Sequence, residues 1–139
     1  CYELASIRDR ALFQAYADAI IAIEWNKDVN YYSNILESLS RDVHCYCIQV
    51  NSADYGDSRI TQPSPTVSKD LVRTKGGTNE TILVGVIDVT ELRRFQMQGQ
   101  TFVSPNSKFK PTPPNFDIEV VKQKYNNKPL RFDVLNNSD

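Results

Sequence analysis

Cysteine is scarce in this sequence: Cys1, Cys45 and Cys47 are the only three in 139 residues. A sparse, odd set argues against a disulfide framework and suits a reducing compartment, so the cytoplasm is the expected location. An excess of one charge is lacking as well. With 16 basic and 17 acidic residues the net charge is -1, which gives nucleic acid no basic footprint. No apolar run approaches the roughly 18 residues of a membrane-spanning helix, and no charged-then-apolar leader stands before Cys1. The chain therefore reads as soluble, with no membrane partner. Histidine occurs once, as His44. The run His44-Cys45-Tyr46-Cys47 does not make a zinc site, because a structural site takes four ligands, usually as two spaced pairs. No metal and no cofactor is expected. Lys75-Gly76-Gly77-Thr78-Asn79 is a turn; it lacks the spacing and the Lys-Ser/Thr of a phosphate loop. No internal repeat or heptad is visible.

What is present is an alternation of helix-period and strand-like runs, in a chain long enough for one domain with a core. Leu4, Ile7, Ala11, Leu12 and Ala15 recur at helical spacing and predict one amphipathic helix packed on a sheet. Ala19-Ile20-Ile21-Ala22-Ile23 has no polar alternation, the pattern of a strand covered on both faces. Asn30 can cap a second helix with Tyr32, Ile35, Leu36, Leu39 and Val43 as its apolar stripe, and Cys45 to Asn51 returns as a strand. Cys45 and Cys47, two apart, share a strand face and are expected to be buried. Arg59 to Gln62 is a short strand stopped by Pro63, whereas Val67 to Arg73 fits either a strand or a helical turn. Thr81 to Ile87 is a strand, and Thr90 caps a helix holding Leu92 and Phe95. Strand, helix, strand implies a crossover within a layered α/β domain. Residues 1–97 form this domain. Residues 98–139 form a Pro/Asn-rich arm, with a short helix near 116–125 and fraying ends.

Cysteine is the strongest side-chain nucleophile, and Cys1 stands directly before a helix-period run. A helix N-terminus there would lower the thiol pKa and offer backbone N–H groups to a developing oxyanion. Against this stands the ordinary role of free cysteine as a small buried hydrophobe. Glu24, Trp25 and Asn26 leave the end of the first strand, where open α/β sheets bind ligands, and are candidate substrate-binding residues; a solvated loop anchored by Trp25 is the plainer alternative. A sequence that begins on cysteine with no initiator Met also suggests a fragment or a processed product.

The order Cys1-Tyr2-Glu3, helix, Ala19–Asp28, Arg41 to Asn51, and Gly56-Asp57-Ser58-Arg59-Ile60 with Pro63 resembles the second half of the nitrilase, or carbon–nitrogen hydrolase, superfamily. Arg41 and Asn51 stand at matching places of the family's Arg-Ala-x-Glu-Asn helix end and Asn strand end, whereas Asp42, His44 and Cys45 replace its Ala, Glu and Asn. The resemblance covers about residues 1–96 and implies the second half of a layered αββα sandwich. It implies a Cys1 nucleophile attacking amide, nitrile or carbamoyl carbon through an acyl-enzyme thioester, with the Tyr2 backbone N–H on the oxyanion. The family's general-base Glu and its Lys lie upstream of the Cys, so the partner is an upstream half of the same protein or a second copy. Glu3 belongs to the motif and is not assigned as the base.

Two further readings compete. The run Glu24 to Asp28 and the altered helix-end box look like the divergent nitrilase-like domains fused to bacterial antiviral reverse transcriptases. That would make the chain a catalytically idle binding or assembly module in phage defence. An N-terminal-nucleophile hydrolase, with the amine of Cys1 as its base, is the third; the Gly-Asp-Ser-Arg-Ile motif and the strand order fit the nitrilase pattern better.

Overall fold

The computed structural model describes residues 2–77, 80–98, 104 and 106–128. A 3-10 turn, Tyr2–Ala5, leads into helix α1, Ile7–Ala11; strand β1, Ala19–Ile23, and helix α2, Val29–Leu39, follow. Strands β2, Tyr46–Val50, β3, Arg59–Thr61, and β4, Asp70–Arg73, complete one four-stranded sheet in the order β1-β2-β3-β4. β1 and β2 are parallel, joined by the α2 crossover, and β2, β3 and β4 are antiparallel. Helices α3, Val89–Met97, and α4, Ile118–Tyr125, are the last elements among the described residues. The fold is mixed α/β. Among the described residues no helix is long and apolar enough to cross a membrane.

The α2 stripe behaves as its spacing predicts: Tyr32, Ile35, Leu36, Leu39 and Val43 are all buried. Leu36, Leu39 and Val43 pack on Ala22, Cys45 and Cys47, so both strand cysteines sit on the sheet face beneath α2. After Leu39 the helix widens into a π turn, Ser40–His44, ending with His44 at φ 60. The Ser40 hydroxyl donates to the Cys45 carbonyl at 2.8 Å, and the chain enters β2 there.

Besides the caps, which are Asp28 for α2 and Asp88 for α3 instead of Asn30 and Thr90, four expectations need correction. The first helix is not continuous. Ser6 caps α1 by accepting from the Asp9 N–H at 3.2 Å, and the run ends in turns with Ala15 at φ 64. A capping serine and a left-handed residue divide what the apolar spacing alone would join. β1 is covered on one face only. Ala22 packs under α2, whereas Ile21 and Ile23 point the other way and are exposed. Thr81 to Ile87 has no ladder partner among the described residues, although from Ile82 onward its burial alternates residue by residue. Its inner side approaches the sheet closely: a Cβ on Gly85 would lie 2.9 Å from Ile60 Cδ1. Its outer side, Ile82, Val84 and Val86, is 79% to 90% exposed.

The fourth concerns the arm, whose described part folds back instead of running outward. Phe109 packs with Tyr46 and Leu92, while Phe116, Val120 and Val121 pack on Ala15. The Lys110 N–H donates to the Pro63 carbonyl at 2.8 Å, so the chain is tied down by its backbone as well. The predicted short helix is α4, capped by Asp117, which accepts from Glu119 and Val120. Burying four large apolar side chains outweighs the polar, Pro-rich composition of the stretch.

Candidate functional site

The parallel crossover carries the chain off the end of β1 at the edge where α/β sheets bind ligands. The Glu24 N–H extends the ladder by donating to the Val50 carbonyl at 2.8 Å. Past it, the Asn51 side chain takes over. Its Oδ1 accepts from the Asn26 N–H at 2.9 Å and the Ser52 N–H at 2.9 Å. Its Nδ2 donates to the Asn26 carbonyl at 2.8 Å and the Gly56 carbonyl at 2.9 Å. Both lone pairs and both N–H groups of one carboxamide are used. The Asn26 side chain accepts from the Asp28 N–H at 2.9 Å and leads into α2.

Beneath the corner runs a buried polar chain. Glu24 Oε2 accepts from Gln49 Nε2 at 2.9 Å, and Gln49 Oε1 accepts from Arg59 Nε at 3.1 Å. Arg59 Nη2 donates to the Ser33 carbonyl at 2.9 Å and Nη1 lies 3.8 Å from Asp70. Thr61 donates to Asp70 at 2.6 Å, and Arg73 pairs with Asp57 at 2.5 Å. Burial raises the Glu24 pKa; the Gln49 bond and the Arg59 charge only partly oppose it. Among the described residues Glu24 Oε1 has no hydrogen-bond partner.

Each predicted site residue now has its place. Cys1 lies outside the described residues. Tyr2 opens the first 3-10 turn with its side chain exposed. Glu24 is buried in the chain under the sheet, Asn26 is clamped by its backbone, and Trp25 projects outward at 76% exposure. Trp25 meets Tyr55 with ring centroids 6.3 Å apart and planes tilted by 49°. Tyr55 itself belongs to the turn between β2 and β3, whose Gly56 has φ +71; a Cβ there would lie 2.1 Å from Gly76 Cα. Sequence spacing pointed to the β1 corner but not to Gln49, Tyr55 or Arg59, which reach it only through strand pairing. Asn51 was visible as a matching motif residue, though not as the clamp.

The other singled-out groups are structural. His44 is fully buried, with Nε2 2.8 Å from the Lys110 carbonyl and Gln96 Nε2 3.4 Å from Nδ1. A carbonyl only accepts, so Nε2 carries the proton and Nδ1 accepts from Gln96. Burial lowers the His44 pKa and keeps the ring neutral. The Cys45 thiol is pushed well up by its hydrogen bond with Cys47 and by burial. Among the described residues no three His, Cys, Asp or Glu side chains come together as metal ligands. No family model matches the chain, and no curated protein or solved structure matches it either.

Proposed function

We propose that this chain is the nucleophile-bearing half of a carbon–nitrogen hydrolase of the nitrilase type. The observation that carries the reading is the β1 corner: a parallel β-α-β crossover delivers Glu24, Trp25 and Asn26 to the carboxyl edge of the sheet, and Asn51 fixes them there. The sheet face opposite α2 adds support. Ile21, Ile23 and Val50 are exposed there, and Ile82, Val84 and Val86 are exposed on the stretch whose Gly85 lies against Ile60, although Tyr46 of the same face is buried with Leu92 and Phe109; the second sheet of an αββα sandwich would cover the exposed part.

In this reading the Cys1 thiol gives its proton to a Glu on the complementary half, and the thiolate attacks the amide or nitrile carbon. A Lys of that half and the Tyr2 N–H stabilise the oxyanion. For an amide, the proton passes to the departing amine, the C–N bond breaks, and water then hydrolyses the thioester. Losing either the base or the charge stabilisation costs about a hundredfold or more in rate, so the half alone is nearly inactive.

The test is Cys1→Ala in the complete protein that carries these residues. Turnover of amides, nitriles or carbamoyl compounds is expected to vanish with the melting midpoint unchanged. Iodoacetamide should also modify Cys1 before the buried Cys45 and Cys47. A folded protein that hydrolyses none of these compounds, and whose partners bind equally with or without the Cys1 thiol, would instead be the idle assembly module.

A further inference from the structure

We propose that Asn51 is the positioning residue of the β1 corner and that the Trp25–Tyr55 pair it sets is an aromatic rim taking a flat, apolar acyl group; this rests on the hydrolase reading. One face of the carboxamide grips Asn26, the neighbour of Trp25, through both its N–H and its carbonyl. The same Nδ2 holds the carbonyl of Gly56, the neighbour of Tyr55. Asn51 is therefore the shared anchor of two rings that come from loops distant in sequence. Only asparagine fits. Aspartate keeps the two acceptor bonds but turns a carboxylate toward the Asn26 and Gly56 carbonyls, and glutamine is one methylene too long. The rings are tilted, not stacked, so each still offers a face, and Trp25 leaves most of its surface to solvent. An exposed tryptophan beside a saturated polar clamp, at the strand ends where α/β folds bind ligands, suits an aryl or similarly flat partner.

The experiment compares Asn51→Asp and Tyr55→Ala with the wild type in the complete protein, using benzamide-type and acetamide-type substrates. Selectivity for the aryl substrate, as the ratio of kcat/KM values, is expected to fall about tenfold in both variants, through KM and not kcat. Hydrogen exchange should show residues 24–28 losing protection in Asn51→Asp while β1 and β2 keep theirs. A fall in kcat of the same size, or an equal loss on both substrates, overturns the proposal. If the wild type hydrolyses nothing, the hydrolase reading fails by itself, and benzamide binding by calorimetry decides: about tenfold weaker binding in both variants upholds the rim, and no binding to wild type refutes it. Should Asn51→Asp not fold, Tyr55→Ala, in an outer turn, decides alone by the same readouts.

Discussion

His44 shows how one residue can be fixed by opposing demands. Its backbone is left-handed, a conformation uncommon outside glycine although His, like Asn and Asp, takes it more often than most residues. The ring is nonetheless held by the Lys110 carbonyl and Gln96, and it stacks on Phe95 at 5.9 Å. Burial lowers the His44 pKa below the ordinary 6.5, with the nearby Arg41 charge adding to it. An unfolded chain takes up a proton near pH 6.5, whereas the folded one does so only at lower pH. Protonation thus favours unfolding, and stability falls as pH drops from about 6.5 toward the folded pKa. Urea unfolding across that range should show the decline in the wild type. His44→Asn, which suits the backbone and does not titrate, should remove that component, so the difference between the two proteins shrinks as pH falls. A constant difference would mean that folding leaves the proton affinity of the ring unchanged.

At the scale of elements, a partly buried ion cluster holds α3 and α4 to the start of β1. Arg93 on α3 makes two bonds to Asp18, at 3.0 and 2.6 Å, and Lys124 on α4 reaches the same carboxylate at 2.9 Å. Burial raises the Asp18 pKa, but these bonds outweigh it and leave the group below its ordinary 3.8. Its stabilising contribution is present above that pH and disappears as pH falls through the lower folded value. Asp18→Asn leaves Lys124, itself buried, without its counter-charge, and should cost about 3 kcal/mol at pH 7 by denaturant titration. A cost under about 0.5 kcal/mol, the range of ordinary surface substitutions, would show that α4 is held by Phe116, Val120 and Val121 alone.

For the whole molecule the decisive feature is asymmetry between the two sheet faces. One face carries α2 and a close-packed core; the other buries Tyr46 with Leu92 and Phe109 but exposes Ile21, Ile23 and Val50, and the outer side of Thr81 to Ile87 is exposed as well. Covering six such side chains would release on the order of 10 kcal/mol before the costs of association. Val84→Lys tests whether this side is covered. In the 139-residue chain alone the change should alter stability by less than about 0.5 kcal/mol, since Val84 is largely exposed there. In the complete protein it should destabilise or disassemble the partnered state, measured by melting and by size-exclusion with light scattering. If the 139 residues form a sharply melting monomer and Val84→Lys is silent in the complete protein, the face is a free surface.

The sequence by itself determined the parts whose signal is local. The stripe of α2 and the shared face of Cys45 and Cys47 were legible from period, and the strand-helix-strand order made a crossover the expected link from β1 to β2. Tertiary structure decided what period cannot express. An unbroken run such as Ala19-Ile20-Ile21-Ala22-Ile23 says that both strand faces are apolar, not that both are covered. Thr81 to Ile87 has strand composition, but a ladder requires a neighbouring strand that composition cannot supply. The arm looked like a linker because prolines and asparagines dominate it, yet four apolar side chains spaced along it suffice to dock it on Tyr46, Leu92 and Ala15. The corner followed the same division. Local order placed Glu24, Trp25 and Asn26 at a strand end, while pairing of β2 with β1 and β3 brought Gln49, Asn51 and Arg59 against them, since hydrogen bonds between residues 25 apart exist only once the sheet has formed.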